Sequence, residues 1–100
     1  MSEVLLILYS RKGCCLCEGL EQRLRNIPLH KLEPPLVLRV IDIDAVDTPM
    51  DLRRLYDLNV PVVCIGGDLL TNTFELPRVS PRLHEKALFR WLQKNLPKTV

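Results

Sequence analysis

The chain predicts an α/β protein built on a mixed four-stranded sheet. Three features carry that expectation. An unbroken apolar run near the N-terminus suits a strand covered on both faces. The apolar spacing changes to a helical period directly after it. A Gly-Gly pair further on separates two strand-like segments, as in a hairpin. With 100 residues, the chain is expected to form one domain over residues 1–100. At 47% hydrophobic content, it has enough apolar side chains for an ordinary core and does not read as disordered.

The first strand is Val4-Leu5-Leu6-Ile7-Leu8-Tyr9, with no polar alternation. Ser10 to Gly13 form a short polar loop. From Cys14 the apolar residues Leu16, Leu20, Leu24 and Ile27 recur at helical spacing, and Glu21–Arg25 makes an i,i+4 pair on the opposite face. Pro28 ends this helix, and Pro34-Pro35 impose an extended entry to the second strand, Leu36 to Ile43. Strand, helix and strand in this order give a right-handed parallel crossover. Thr48-Pro49-Met50-Asp51 reads as a capped helix start, followed by Leu52, Leu55 and Tyr56. Val60 to Ile65 is the third strand, with Pro61 at its entrance. Gly66-Gly67 turns the chain so that Asp68 to Phe74 returns antiparallel. Ser80-Pro81 is expected to cap a last helix with an apolar stripe of Leu83, Ala87, Leu88, Trp91 and Leu92, closed by Pro97. The order β-α-β-α-β-β-α is that of a thioredoxin fold reduced to its minimal core.

Charge and composition narrow the function. A net charge of +2, no run of five Lys or Arg and five scattered aromatics give no footprint for nucleic acid. The N-terminal apolar run lacks a positive leading segment and is followed at once by Arg11 and Lys12, so it reads as a buried strand rather than a signal peptide. No apolar stretch approaches the ~20 residues of a membrane helix. The expected setting is therefore intracellular, cytoplasmic by default, with no membrane partner. In a reducing interior, cysteines are more often catalytic or metal-binding than structural.

Three of the four cysteines lie within four residues, Cys14-Cys15-Leu16-Cys17, where strand hands over to helix. Residues three apart on a helix have Cα atoms about 5 Å apart and side chains ~60° apart around the axis. Both values suit a disulfide between Cys14 and Cys17. Cys15 is placed worse, next to one cysteine and facing away from the other. Cys14 at the helix start meets unpaired N–H groups and the positive end of the helix dipole, and Arg11 and Lys12 add charge nearby. These effects favour the thiolate below the free thiol value of ~8.5. Cys17, one turn in, is expected to be the less exposed resolving thiol. A structural zinc would need a second cysteine or histidine pair, which Cys64, His30 and His84 do not supply, so no metal is expected.

Two segments carry a resemblance to a known family. Tyr9-Ser10-Arg11-Lys12-Gly13-Cys14-Cys15-Leu16-Cys17 resembles the glutaredoxin active-site segment, and Val60-Pro61-Val62-Val63-Cys64-Ile65-Gly66-Gly67-Asp68 resembles the family's strand entered through a cis-proline. The closest likeness is to the glutaredoxin-like branch of the thioredoxin superfamily. The resemblance implies a thiol–disulfide oxidoreductase acting on protein or low-molecular-weight disulfides. Cys14 would be the nucleophile and Cys17 the resolving thiol. Arg11, Val60 and a cis Pro61 would bind substrate, with Tyr9 and Cys15 as auxiliary residues. The sequence departs from the family pattern in three places, one of them the Cys15-Leu16 pair between the two cysteines, where the family usually has Pro-Tyr or Gly-Pro. Val60 stands where glutaredoxins usually have threonine, and Thr71 to Phe74 with Val79 to Arg82 replace the segment that holds glutathione. No tightly bound cofactor is therefore expected, and glutathione as a co-substrate would meet a weakened site.

Two other readings stay open at this stage. One is an iron–sulfur cluster carrier, with Cys15 as an extra thiol. The other is a non-catalytic binding module on the same fold. Cys64 reads as a buried small apolar residue, Trp91 as packing, and His30 and His84 as surface residues. Asp42 and Asp44 alternate against Ile41 and Ile43 at the end of the second strand. A solvated strand end is the expected reading, and a carboxylate serving Cys17 is the alternative.

Overall fold

A computed structural model describes residues 4–66, 74–80 and 83–96. The elements run β1 (Val4–Ser10), α1 (Cys15–Asn26), a 3-10 turn at Leu29–Lys31, β2 (Leu36–Asp42), α2 (Met50–Tyr56), β3 (Val62–Gly66), β4 (Phe74–Glu75) and α3 (Glu85–Asn95). The apolar run of β1 makes it the central strand. It pairs in parallel with β2, from Val4↔Leu36 to Ser10↔Asp42. It pairs antiparallel with β3, from Leu5↔Gly66 to Tyr9↔Val62. These three strands form a mixed sheet, and the two-residue β4 adds to the free side of β3 through Cys64↔Glu75 and Ile65↔Phe74. With three helices, the arrangement is compatible with a thioredoxin-like fold. Most of the return strand expected over Asp68–Phe74, with Gly67 of the hairpin, lies outside the described residues.

Because side chains alternate along a strand, β1 serves two cores. Leu6 and Leu8 join Val63 and Ile65 of β3, Leu20 and Leu24 of α1, and Leu88 and Leu92 of α3 in one buried cluster. Leu5, Ile7 and Tyr9 face the other way and pack with Ile43, Tyr56, Val62 and Cys64 beside α2. Trp91 is half-buried against the first cluster, as a packing residue should be. No helix of the described residues is long and apolar enough to cross a membrane.

Three local expectations are corrected. Leu16 does not belong to the buried stripe of α1: it is 50% exposed, while Cys17 is fully buried. Neighbours on a helix differ by about 100°, so the inward turn of Cys17 puts Leu16 outside. Thr48 does not cap α2. Pro49 holds the cap position with no side-chain hydrogen bond, and the buried Thr48 hydroxyl instead donates to the Asp42 carbonyl at 2.6 Å. The last helix begins at Glu85 with His84 at its cap, later than Ser80-Pro81 suggested. Leu76 and Val79 are buried in the core, and their anchoring keeps residues 76–80 irregular before the helix can start. Pro81, Arg82 and Pro97 lie outside the described residues.

Candidate functional site

The β1–α1 junction sets the geometry of the cysteines. Gly13 has φ +81°, a left-handed conformation that favours glycine. The turn it makes is closed by the Cys14 N–H donating to the Arg11 carbonyl at 3.2 Å. Cys14 is then the N-cap of α1, and its Sγ accepts a hydrogen bond from the Cys17 N–H at 3.2 Å. The cap sulfur thus sits where the first turn of the helix offers unpaired donors. Cys14 and Cys17 lie at disulfide distance, with Cα atoms 5.2 Å apart. Cys14 is partly exposed and Cys17 has no exposed surface, so the two sulfurs differ in their access to solvent. Cys15 is a free, exposed thiol at the first position of α1.

Arg11 does not present a bare positive charge to this site. Its Nε and Nη2 donate to Asp44 Oδ2 and Oδ1 at 2.7 and 3.1 Å. Nη2 also donates to Asp57 Oδ1 at 2.6 Å, and Nη1 to the Asp57 carbonyl at 2.9 Å. Hydrogen bonding to Arg11 holds the Asp44 carboxyl below its ordinary range. Asp44 is exposed and engaged with Arg11 rather than aimed at Cys17, and Asp42 Oδ1 accepts the Asp44 N–H at 2.9 Å. The strand end is thus the solvated one expected. Asp57 escaped sequence reasoning altogether. It lies 46 residues from Arg11 in the chain, and no local pattern marks such a pair.

The Val60–Pro61 bond is cis, as the resemblance implied. So is Glu33–Pro34, which was not anticipated. Pro61 lies one residue beyond the Tyr9↔Val62 pair, so the sheet register sets it beside Ser10, at the same end as Cys14. A groove of about 270 Å³ opens here, lined by Asn59, Pro61, Glu75 and Arg78 among others.

Tyr9 points to the opposite face of the sheet from Leu8. Its ring stacks on Tyr56 with centroids 4.7 Å apart, and burial raises the pKa of its hydroxyl. Cys64 is buried in β3 as expected, with its Sγ 3.9 Å from the Tyr56 hydroxyl. Burial, before any other cause, pushes both the Cys64 thiol and the Tyr56 hydroxyl up. His30 and His84 are exposed. Among the described residues, no three His, Cys, Asp or Glu side chains converge as a metal site would require.

Comparison with known proteins agrees with this geometry. Residues 5–93 match the glutaredoxin-like domain family, DUF836. The chain belongs to that family. A solved structure of a malarial protein is similar over 95% of this chain and 99% of its own, with TM-score 0.60 and 18% identity. A Northeast Structural Genomics target protein from X. campestris is similar over 89% of this chain and 96% of its own, with TM-score 0.50 and 22% identity. At such identities the likeness concerns the fold. Among curated proteins, none matches the sequence.

Proposed function

We propose that this glutaredoxin-like chain is a thiol–disulfide oxidoreductase on a complete thioredoxin fold, with Cys14 as nucleophile and Cys17 as resolving thiol. One observation carries the reading. The sulfur of Cys14 caps a helix and accepts the Cys17 N–H, while the Cys17 side chain is buried at disulfide distance from it. A thiolate at Cys14 is favoured by that hydrogen bond and by the helix dipole. It attacks one sulfur of a substrate disulfide, breaking the substrate S–S bond, and the departing sulfur takes a proton from water. Cys17, losing its proton, then attacks Cys14 Sγ. The Cys14–Cys17 disulfide forms and the second substrate thiol leaves, so two protein thiols are oxidised and one substrate disulfide is reduced.

The Val60–Pro61 segment and the groove beside it are the proposed seat of the substrate, with the Val60 carbonyl as the proposed acceptor for an extended peptide, since the Val60 N–H is already given to the Tyr56 carbonyl. Both sulfurs that carry electrons belong to the protein, so the reaction needs no tightly held cofactor. Glutathione as a co-substrate would meet a weakened site, since Thr71 to Phe74 and Val79 to Arg82 replace the segment that holds it in glutaredoxins.

Single-turnover assays test this reading without an external reductant. Pre-reduced protein carrying Cys15→Ser, which removes the other exposed thiol, mixed with excess bis(2-hydroxyethyl) disulfide should release two thiols per chain. In that background Cys14→Ser should release none, and Cys17→Ser should stop at a mixed disulfide visible by mass spectrometry. Equal thiol release by both variants would overturn the assignment.

A further inference from the structure

We infer that Arg11 is a positioning residue, which ties the cysteine turn to the cis-proline loop, rather than a cation that binds substrate. All three guanidinium nitrogens are engaged, by Asp44 on one side and by the carboxylate and carbonyl of Asp57 on the other. A planar fork with fixed donor directions suits two-sided clamping of this kind. What it clamps gives the arrangement its meaning. The Arg11 carbonyl accepts the Cys14 N–H, so the residue that anchors the loop also closes the turn holding the nucleophile. Asp57 follows α2 and lies four residues before Pro61 in the chain.

The Asp44 side of the clamp is itself fixed. The Ile43 N–H donates to the Ser10 carbonyl at 2.9 Å. Arg53 of α2 donates from Nε to the Ile43 carbonyl and from Nη2 to the Ala45 carbonyl, both at 3.0 Å. The two residues that flank Asp44 are therefore held from α2, and Asp44 presents its carboxylate from a braced turn. Asp57 is similarly placed by the end of α2, where the Asn59 and Val60 N–H groups donate to the Tyr56 carbonyl at 3.0 and 3.2 Å. Arg11 thus bridges two segments carried by α2 to the turn that carries Cys14.

The charge inventory supports the same assignment. The ionisable groups near the cysteine turn are Arg11, Lys12, Glu18, Glu21 and Asp42, which line one cavity, with Asp44, Asp57 and the Arg53 that acts on Asp44. Their formal charges are three positive and five negative, so Arg11 does not make this surface cationic. An anionic disulfide gains little from a guanidinium already shared between two carboxylates.

The two roles predict opposite signs for one pair of variants. Arg11→Ala removes the clamp and the charge together. The double variant Asp44→Asn, Asp57→Asn weakens the clamp, removes two negative charges and leaves Arg11 in place. The readout is the pH dependence of Cys14 alkylation by neutral iodoacetamide, followed by mass spectrometry on pre-reduced protein. If Arg11 positions the turn, loosening it frees Cys14 from its cap. Both variants should then shift the alkylation midpoint upward and slow labelling at pH 7 by roughly fivefold, the scale of a helix-terminus effect on a charge. If Arg11 acts as a through-space cation, Arg11→Ala shifts the midpoint up and the double variant shifts it down. That opposite pair of shifts, or no shift in either variant, would overturn the inference. Arg25→Ala, which removes a surface pair remote from the turn, should leave the profile unchanged.

The role described here rests on the proposed exchange reaction only for its catalytic meaning, and turnover separates the two. Wild-type protein that releases no thiol from bis(2-hydroxyethyl) disulfide would defeat the exchange reading and leave the alkylation comparison intact. With turnover present, Arg11→Ala and the double variant should each lower the single-turnover rate with this neutral disulfide by about tenfold or more. A loss confined to an anionic disulfide such as glutathione disulfide would mark Arg11 as substrate-binding and overturn the inference.

Discussion

The two faces of the sheet are built from different materials. On one, Leu6, Leu8, Val63 and Ile65 meet two helices whose buried residues are chiefly leucines, and the resulting core of buried residues is aliphatic. On the other, Leu5, Ile7, Tyr9, Val62 and Cys64 meet a single seven-residue helix whose one buried residue is Tyr56. Polar atoms enter this second core through two tyrosine hydroxyls and a thiol. The difference divides the labour of a small protein. The two-helix face supplies most of the apolar burial, at roughly 25 cal/mol per Å². The α2 face supplies braced turns, through Arg53, Asp44 and Asp57, that reach round to the cysteines.

The sharpest way to break this contrast is to remove volume from each face. Leu20 has no exposed surface and lies on α1 between the sheet and α3. Leu20→Ala should cost about 2–5 kcal/mol, the transfer loss plus the cavity left behind. Leu52 of α2 is only half-buried, so Leu52→Ala should cost about half as much or less. Urea unfolding monitored by circular dichroism measures both. Equal losses would mean that the α2 face carries as much of the stability as the two-helix face, and the division of labour would fail.

A smaller effect is expected from the polar atoms of the α2 face, and it is pH-dependent. Burial raises the Tyr56 hydroxyl above its ordinary value of 10.0. Below that pH the hydroxyl is protonated in both folded and unfolded chains. Above it the unfolded tyrosine ionises first, so the stability it contributes is full below pH 10 and is lost as pH rises towards the folded value. The slope attributable to this one group is at most about 1.4 kcal/mol per pH unit. Tyr56→Phe should flatten the fall in urea midpoint above pH 10, leaving the part due to Tyr9, which is raised in the same direction. In the same core, the raised and buried Cys64 thiol should resist iodoacetamide in native protein while Cys15 is labelled. Native labelling of Cys64 would show this core to be open.

What could be read from the sequence divides along a related line. β1 was legible because a strand buried on both faces leaves an unbroken apolar run, and the cysteine pair because its spacing and helix-start position have local geometric consequences. The exposure of Leu16 is not legible in the apolar spacing, because Cys17, a residue with its own chemistry, is also the buried residue that sets the rotation of α1. The late start of α3 was hidden because burial of Leu76 and Val79 overrides a local cap signal at Ser80-Pro81. Arg11 was legible only as positive charge beside the cysteines, because its partners, 33 and 46 residues away in the chain, meet it only once the sheet has formed. Interactions fixed by neighbours in sequence could be anticipated, and those fixed by tertiary geometry could not.

The smallest expected effect tests the other end of the contrast, the solvated side of the two-helix face. Arg25 donates to Glu21 at 3.0 Å across one turn of α1, and the arginine side chain is 57% exposed. An exposed i,i+4 pair with the acid N-terminal to the base stabilises a helix by about 0.2–0.5 kcal/mol. High dielectric and the entropy of two long side chains keep the value small. Glu21→Gln should therefore lower stability by no more than about that amount, with the loss shrinking further in high salt as screening takes over. Urea unfolding in low and high salt resolves the two contributions. A loss above about 1 kcal/mol that persists in salt would exceed what an exposed pair can supply. It would give the outer surface of α1 a share in stability that otherwise belongs to the aliphatic core.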